Sequence, residues 1–269
     1  MYGILLLCGG LAGVTTVLFG FGGGFLVVPL MYILLMTVHG PGSAAGLAAM
    51  HIAVATSTAL MIFATSLSTW RHHQRRTVQW NLVRPLMGYI AIGAVLGAAA
   101  AVSLNGDWVR WVFIGYLGLT IADAILLPGF LHQASGEVRP LGRSATAMIG
   151  TFIGTVAAFL GVGGSVMTVP LMRRRGASMT AATAMANPLS LPMAVSGTLT
   201  YMLLPASNTA LDAWYVGYVD LRALLVLAVG SWLGIRLGSR WIGRIPDRIH
   251  ARVYLLLLTL VLVVMVAMN

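Results

Sequence analysis

The sequence predicts an all-α integral membrane protein of ten hydrophobic segments, arranged as an inverted 5+5 repeat with short glycine-turn hairpins near the membrane midplane. Three observations predict it. Of 269 residues, 59% are hydrophobic and 8% charged, and the mean hydropathy is +0.92. A soluble domain carries about 25% charged residues, so this chain has too few to coat a water-facing surface. The apolar runs mostly approach helix-spanning length, which suits helices rather than barrel strands. Finally, GFGGGFLVVPLM at 20–31 returns as GVGGSVMTVPLM at 161–172, with seven of twelve positions identical.

The segments are Tyr2–Phe19, Gly24–Val38, Ser43–Trp70, Leu82–Leu104, Trp108–Leu127, Ser144–Leu160, Ser165–Met172, Met179–Leu204, Leu221–Trp241 and Val253–Met268. The opening MYGILLLCGG has no basic stretch and no A-x-A cleavage pattern, and reads as an uncleaved membrane segment. Residues 1–130 form the first repeat, 131–143 a cytoplasmic linker and 144–269 the second repeat. The seventh segment has only eight residues before Arg173. That is roughly 12 Å of helix against a hydrocarbon core of about 30 Å. The glycine turn before it is therefore expected part-way into the membrane, at the tip of a hairpin.

All 16 basic residues are arginine, and the net charge is +10. If loops alternate between the two sides, 14 arginines fall on one side and only Arg110 and Arg222 on the other. The positive-inside rule makes the arginine-rich side cytoplasmic and places both termini outside. Clustering in short loops assigns these arginines to orientation and to the lipid surface rather than to nucleic acid, which is not expected as a partner. The C-terminal RLGSRWIGRIPDRIHAR reads as such an anchor. His72 and His73, among loop arginines, read as surface residues.

A second motif, Gly93-x-x-Leu96-Gly97, recurs as Gly230-x-x-Leu233-Gly234. Five segments per half is an odd number, so the halves insert upside down relative to each other. The loops agree: RHHQRR (71–76) is basic where its partner 205–220 has no base, and RRRGAS (173–178) is basic where TVHGPGS (37–43) has no arginine. Inverted repeats of this kind place a substrate site between the halves and work by alternating access.

Glycine permits a tight turn and close approach to the backbone. The helix after each turn begins with N–H groups that have no intrahelical partner, in the positive end of the helix dipole. Two such ends facing one cavity hold an anion without a basic side chain. The candidate substrate-binding residues are thus Gly22, Gly23 and Gly24 with Gly163, Gly164 and Ser165; helix packing through small residues is the competing role. Pro29 and Pro170 should weaken or bend the helices that follow. In the third segment Thr56 and Ser57 are candidates, and His51 could carry protons. In the eighth, Asn187-Pro188 and Pro192 should break the helix and expose backbone, with Asn187 placed to use the break. Asp123 lies inside a segment, as a proton relay or an arginine partner. Cys8 is the sole cysteine, so no intrachain disulfide forms. No catalytic motif, metal-ligand set or nucleotide fingerprint is present; catalytic residues, metals and cofactors are expected to be none.

GFGGGFLVVPLM, MHIAVATST, RHHQRRTVQW, GVGGSVMTVPLM, LPMAVSGTLTYM, GYVDL and GSWLGIRLGSRW, in this order over nearly the whole chain, resemble the TauE/SafE family of sulfite and sulfonate exporters, also called toluene-sulfonate uptake permeases. The resemblance implies a multi-pass protein of a bacterial-type inner membrane. It would move sulfite, sulfoacetate or another organosulfonate, coupled to protons. It places both glycine turns near the substrate and matches Thr56 and Ser57 to the family's Thr-Ser pair. The second half departs from that pattern, with Met185-Ala186 where the family keeps a second pair. The competing readings are a transporter of another small solute or metal ion, and an intramembrane enzyme or assembly factor built on His51 and Ser57. Expected partners are a small anion, the lipid bilayer and a second copy of the chain in a homodimer.

Overall fold

The computed structural model describes residues 2–127, 130, 141–204 and 213–267. The predicted linker falls mostly outside them. The described elements are α1 (Tyr2–Phe19), α2 (Gly24–His39), α3 (Ala44–Leu47), α4 (Ala49–Gln74), α5 (Trp80–Ser103), α6 (Gly106–Leu126), α7 (Arg143–Leu160), α8 (Ser165–Arg174), α9 (Met179–Leu203), β1 (Tyr215–Val216), β2 (Val219–Asp220), α10 (Leu221–Gly238) and α11 (Asp247–Ala267). Strands β1 and β2 form one small antiparallel hairpin turning at Gly217; the fold is otherwise helical.

Among the described residues, seven helices are long and apolar enough to cross a membrane: α1, α4, α5, α6, α7, α10 with its 3₁₀ extension to Trp241, and α11. Of the other expected segments, α2 is apolar but shorter, α8 has ten residues, and α9 is long but more polar. Large apolar side chains stand exposed on the outer helices, among them Leu7, Leu119, Met148 and Leu256. Such a surface suits lipid rather than water.

Three local expectations are corrected. The third segment is not continuous: Ser43 caps a short α3 by accepting from the Gly46 N–H, and the chain re-enters helix at Ala49. Helix α9 does not break at Pro188 or Pro192 but runs through both. Its packing against α4, α5 and α8 holds the backbone helical despite the missing N–H groups. His72 is not a surface residue. It is 1% exposed and accepts no water-facing role: Nε2 donates to the Val17 carbonyl at 2.8 Å and Nδ1 pairs with the Thr77 hydroxyl.

The two most extensive helix contacts are reciprocal. Helix α1, first in the chain, packs on α10, and α7, first after the predicted linker, packs on α5. Glycines make both contacts. On α5, Gly93 and Gly97 lie against the Thr151 and Thr155 carbonyls of α7; on α10, Gly230 and Gly234 lie against the Leu6 and Gly10 carbonyls of α1. A methyl at any of the four would overlap backbone. The recurring Gly-x-x-Leu-Gly motif is thus a close-packing seam, as small residues provide between membrane helices.

Contacts between helix ends join loops that the charge pattern assigns to one side. Arg75 at the end of α4 donates to the Ile242 carbonyl between α10 and α11. Arg173 of α8 pairs with Asp247 of α11 at 2.9 Å. Arg173 is fully buried and also donates to the carbonyls of Phe130 and Ala177. It ties four chain segments together rather than facing headgroups.

Candidate functional site

Helix α1 ends at Phe19, and the chain reverses through Gly20–Gly23 into α2. Gly20, Gly22 and Gly23 have φ of 76°, 70° and 90°, which only glycine adopts freely. The second turn uses one such residue, Gly161 at φ 65°, as the C-cap of α7. Gly164 sits at φ −55°, ψ −5°. The duplicated motif therefore gives two reversals with different backbones.

The turns touch. A methyl on Gly24 would overlap the Gly161 carbonyl oxygen, one on Gly163 would lie 2.9 Å from the Phe21 carbonyl oxygen, and one on Gly22 would lie 3.4 Å from the Gly163 Cα. Their level is fixed by α4 and α9. Met61, at the midpoint of α4, covers Gly22 and Gly24, and Ser190, at the midpoint of α9, faces Gly163. Every described residue from Phe19 to Phe25 and from Leu160 to Val166 is buried. Phe21 stacks between Phe19 and Phe25, with Tyr254 against it. The conformation is closed around the turns.

Neither α2 nor α8 has a side-chain cap at its start. The first bonds back into the turns come from Val27 to Gly23 and from Met167 and Thr168 to Gly164. Among the described residues, the N–H groups of Gly24, Phe25 and Leu26, and of Ser165 and Val166, have no hydrogen-bond acceptor. Buried N–H groups are nearly always paired, so two such clusters side by side are exceptional. Each adds the positive end of its helix dipole.

Six of the candidate residues, Gly22, Gly23, Gly24, Gly163, Gly164 and Ser165, come together here, and Ser57 joins them by donating to the Gly161 carbonyl at 2.9 Å. Asn187 is adjacent on α9, between Ala186, which faces Gly20, and Ser190. Its Nδ2 donates to Thr183, but its Oδ1 is fully buried without a donor. Thr56 turns away and accepts from the Asp220 N–H at 3.0 Å, where Asp220 caps α10. His51 lies at the far end of α4, with Nε2 3.0 Å from the Ala101 and Leu104 carbonyls and its ring against Tyr218. It is six residues from Ser57 on one helix, roughly 9 Å along the axis, and no hydrogen bond links the two. Asp123 is also remote. It pairs with Arg174, with both side chains about one-third exposed.

Sequence reasoning missed Met61, Phe21, Ser190 and Asp220. Asp220 alone had a signal, as an aspartate immediately before an apolar helical run. The others are set only by tertiary contact.

A bundle of apolar helices with buried, glycine-built reversals at its centre defines a multi-pass membrane protein of transporter type. The chain belongs to the sulfite exporter TauE/SafE family, whose model matches residues 5–265. It is similar to a probable membrane transporter protein of Haemophilus influenzae, 26% identical over 249 residues, covering 91% of this chain and 92% of that one. A probable membrane transporter protein of Methanocaldococcus jannaschii is 22% identical over 243 residues, covering 88% and 86%. The probable membrane transporter protein MamO of Paramagnetospirillum magneticum is 26% identical over 217 residues, which cover 68% of this chain and 33% of the longer MamO. The protein is a membrane transporter.

Proposed function

We propose that the protein is a secondary transporter, working as an exporter, for a small sulfur-containing oxyanion such as sulfite, sulfoacetate or another organosulfonate. The observation that carries this reading is the pair of uncapped helix starts, α2 and α8, whose unpaired N–H groups converge beside the midpoints of α4 and α9. Such groups bind oxyanion oxygens without a cation side chain. Asn187 Nδ2 and the hydroxyls of Ser57 and Ser165 lie beside the turns and, now donating to the Thr183, Gly161 and Gly163 carbonyls, would have to turn from them to reach an anion. The turns are closed in this conformation, so an anion enters only when the halves part. The matching order of α1, α2, α4, α5, α6 and α7, α8, α9, α10, α11 supports an inverted repeat that rocks about this centre. The family adds the expectation of proton coupling in a bacterial-type inner membrane.

Flux of sulfite, thiosulfate and a small sulfonate into proteoliposomes, with and without an imposed pH gradient, tests the reading. The matched control carries bulky residues at Gly23 and Gly164. Gradient-dependent flux that the control lacks is the expected result. Flux that survives in the control assigns the turns to packing, and no flux of any of these anions removes the substrate class.

A further inference from the structure

The last carbonyls of α1, just before the first glycine turn, have no intrahelical partners and need donors from elsewhere. Two buried histidines supply them. His72 of α4 donates to Val17 and His250 of α11 donates to Leu18, both through Nε2 at 2.8 Å. Since a carbonyl only accepts, Nε2 carries the proton in each ring, and Nδ1 is the free lone pair of the neutral form.

The two rings differ at Nδ1. That of His72 is occupied by the Thr77 hydroxyl at 2.9 Å. That of His250 is buried without any partner. Capping α1 and closing the loop onto Thr77 use both ring nitrogens of His72, whereas capping alone leaves this nitrogen of His250 unexplained. The ring is 3% exposed and stands edge-on to Phe19 at 5.0 Å, two residues from Phe21, whose carbonyl meets Gly163.

The end of α7, before the second glycine turn, is met differently. At the end of α7, the Tyr201 hydroxyl takes the Ala158 carbonyl at 2.8 Å. Under the 141-residue offset of the repeat, which also relates the starts of α6 and α11, His250 corresponds to Val109. The ring meets the end of α1 before the first turn, and α11, which carries it, belongs to the second half. The charged and titratable groups around it are Asp247 one turn back on α11, Arg173 of α8, and His72 of α4 with Arg75 beyond it. Asp247 is already engaged by Arg173 and by the Met179 N–H.

Building on the transporter reading above, we infer that His250 is the proton-binding site that couples the pH gradient to movement of the first glycine turn. In the closed conformation a second ring proton would be buried without an acceptor, which is costly. Parting of α11 from the end of α1 gives Nδ1 access to water, and the ring takes up one proton there. The proton leaves to water from the opened arrangement on the opposite side, and closure then restores the neutral ring under Leu18. A proton with different affinity for the two conformations shifts their populations, which is what coupling requires.

The test uses full-length protein in lipid. In His250→Gln, the side-chain amide still donates to Leu18 but cannot titrate. The expected result is that sulfite exchange at symmetric pH stays within about twofold of wild type, while stimulation by a pH gradient is lost. His72→Gln, with the same loss of a ring, keeps its gradient stimulation. Gradient stimulation that survives His250→Gln overturns the inference. A second readout needs no substrate. In ¹⁵N-histidine-labelled protein, the His250 Nδ1 signal should move from an unprotonated to a protonated shift as the pH is lowered through the range in which the protein stays folded. A signal that stays unprotonated throughout overturns the inference whether or not any anion is carried. Titration without wild-type flux would instead remove the oxyanion reading and leave the proton site.

Discussion

Replacing Gly163 by alanine tests the contact between the two turns. The new methyl would sit 2.9 Å from the Phe21 carbonyl oxygen and 3.2 Å from the Ser190 hydroxyl. The closest ordinary carbon–oxygen contact is about 3.3 Å, so the turns must separate by a few tenths of an ångström. Gly163 has no positive φ, so the contact alone carries the penalty. Both neighbours belong to packed backbone or to a short side chain, and overpacking of this kind costs about 1–3 kcal/mol. At roughly 2–4 °C per kcal/mol, the apparent melting temperature falls by about 2–12 °C. Gly164→Ala is the internal comparison. Its methyl meets only Ile153 Cγ2, at 3.1 Å, and its φ of −55° suits any residue. The loss should be smaller there, because a single side-chain methyl has to give by a few tenths of an ångström while no backbone is met. The assay is intrinsic tryptophan fluorescence of both variants in one detergent at one scan rate, because such unfolding is often irreversible and rate-dependent. Equal shifts, or a larger loss in Gly164→Ala, would refute the docking of Gly163 on Phe21.

Three further outcomes follow from the same geometry. Gly97→Ala and Gly234→Ala should each lower the melting temperature by at least as much as Gly163→Ala, since each methyl overlaps a carbonyl of the partner helix; Gly115→Ala, which meets nothing within 4 Å, should not. Arg173→Met should cost about 3–5 kcal/mol, the usual penalty for stranding one partner of a buried pair, and should fail to express as a stable monodisperse protein. Asn187→Leu removes a buried acceptor that has no donor. It should leave the melting temperature unchanged or higher, by up to about 1–3 kcal/mol in stability, while oxyanion flux falls; equal loss of both would assign Asn187 to the scaffold.

The helix limits were legible wherever an apolar run met glycine or arginine. Tyr2–Phe19 was read to the residue because Gly20 follows, and Ser165 was read as the start of α8 because the glycine turn precedes it. The shortness of α8 was legible from Arg173, although burial of that arginine was not, since its partners are Phe130, Ala177 and the distant Asp247. Continuity of α9 through Pro188 and Pro192 was hidden because local propensity favours a break and only packing against three neighbours overrides it. At the candidate site the glycines and Ser57 were legible as chemistry. Their meeting across 104 residues, Ser57 to Gly161, was not, nor was Thr56 turning toward Asp220. His72 illustrates the limit most simply. Arginine neighbours made it resemble a loop residue, and the carbonyl that buries it belongs to another helix.

The reciprocal lodging of α1 on α10 and of α7 on α5 has a consequence for synthesis. Helix α1 leaves the ribosome about 200 residues before α10 begins, a delay of roughly 10–40 s at ordinary elongation rates. Throughout that interval its face of Gly9, Gly10 and Gly13 can meet only lipid, because the surface it will fit has not been made. Helix α7 waits for nothing, since α5 is already in place when it emerges. Biogenesis is therefore asymmetric: α7 inserts against a helix already made, and α1 gains its main neighbour only near the end of synthesis.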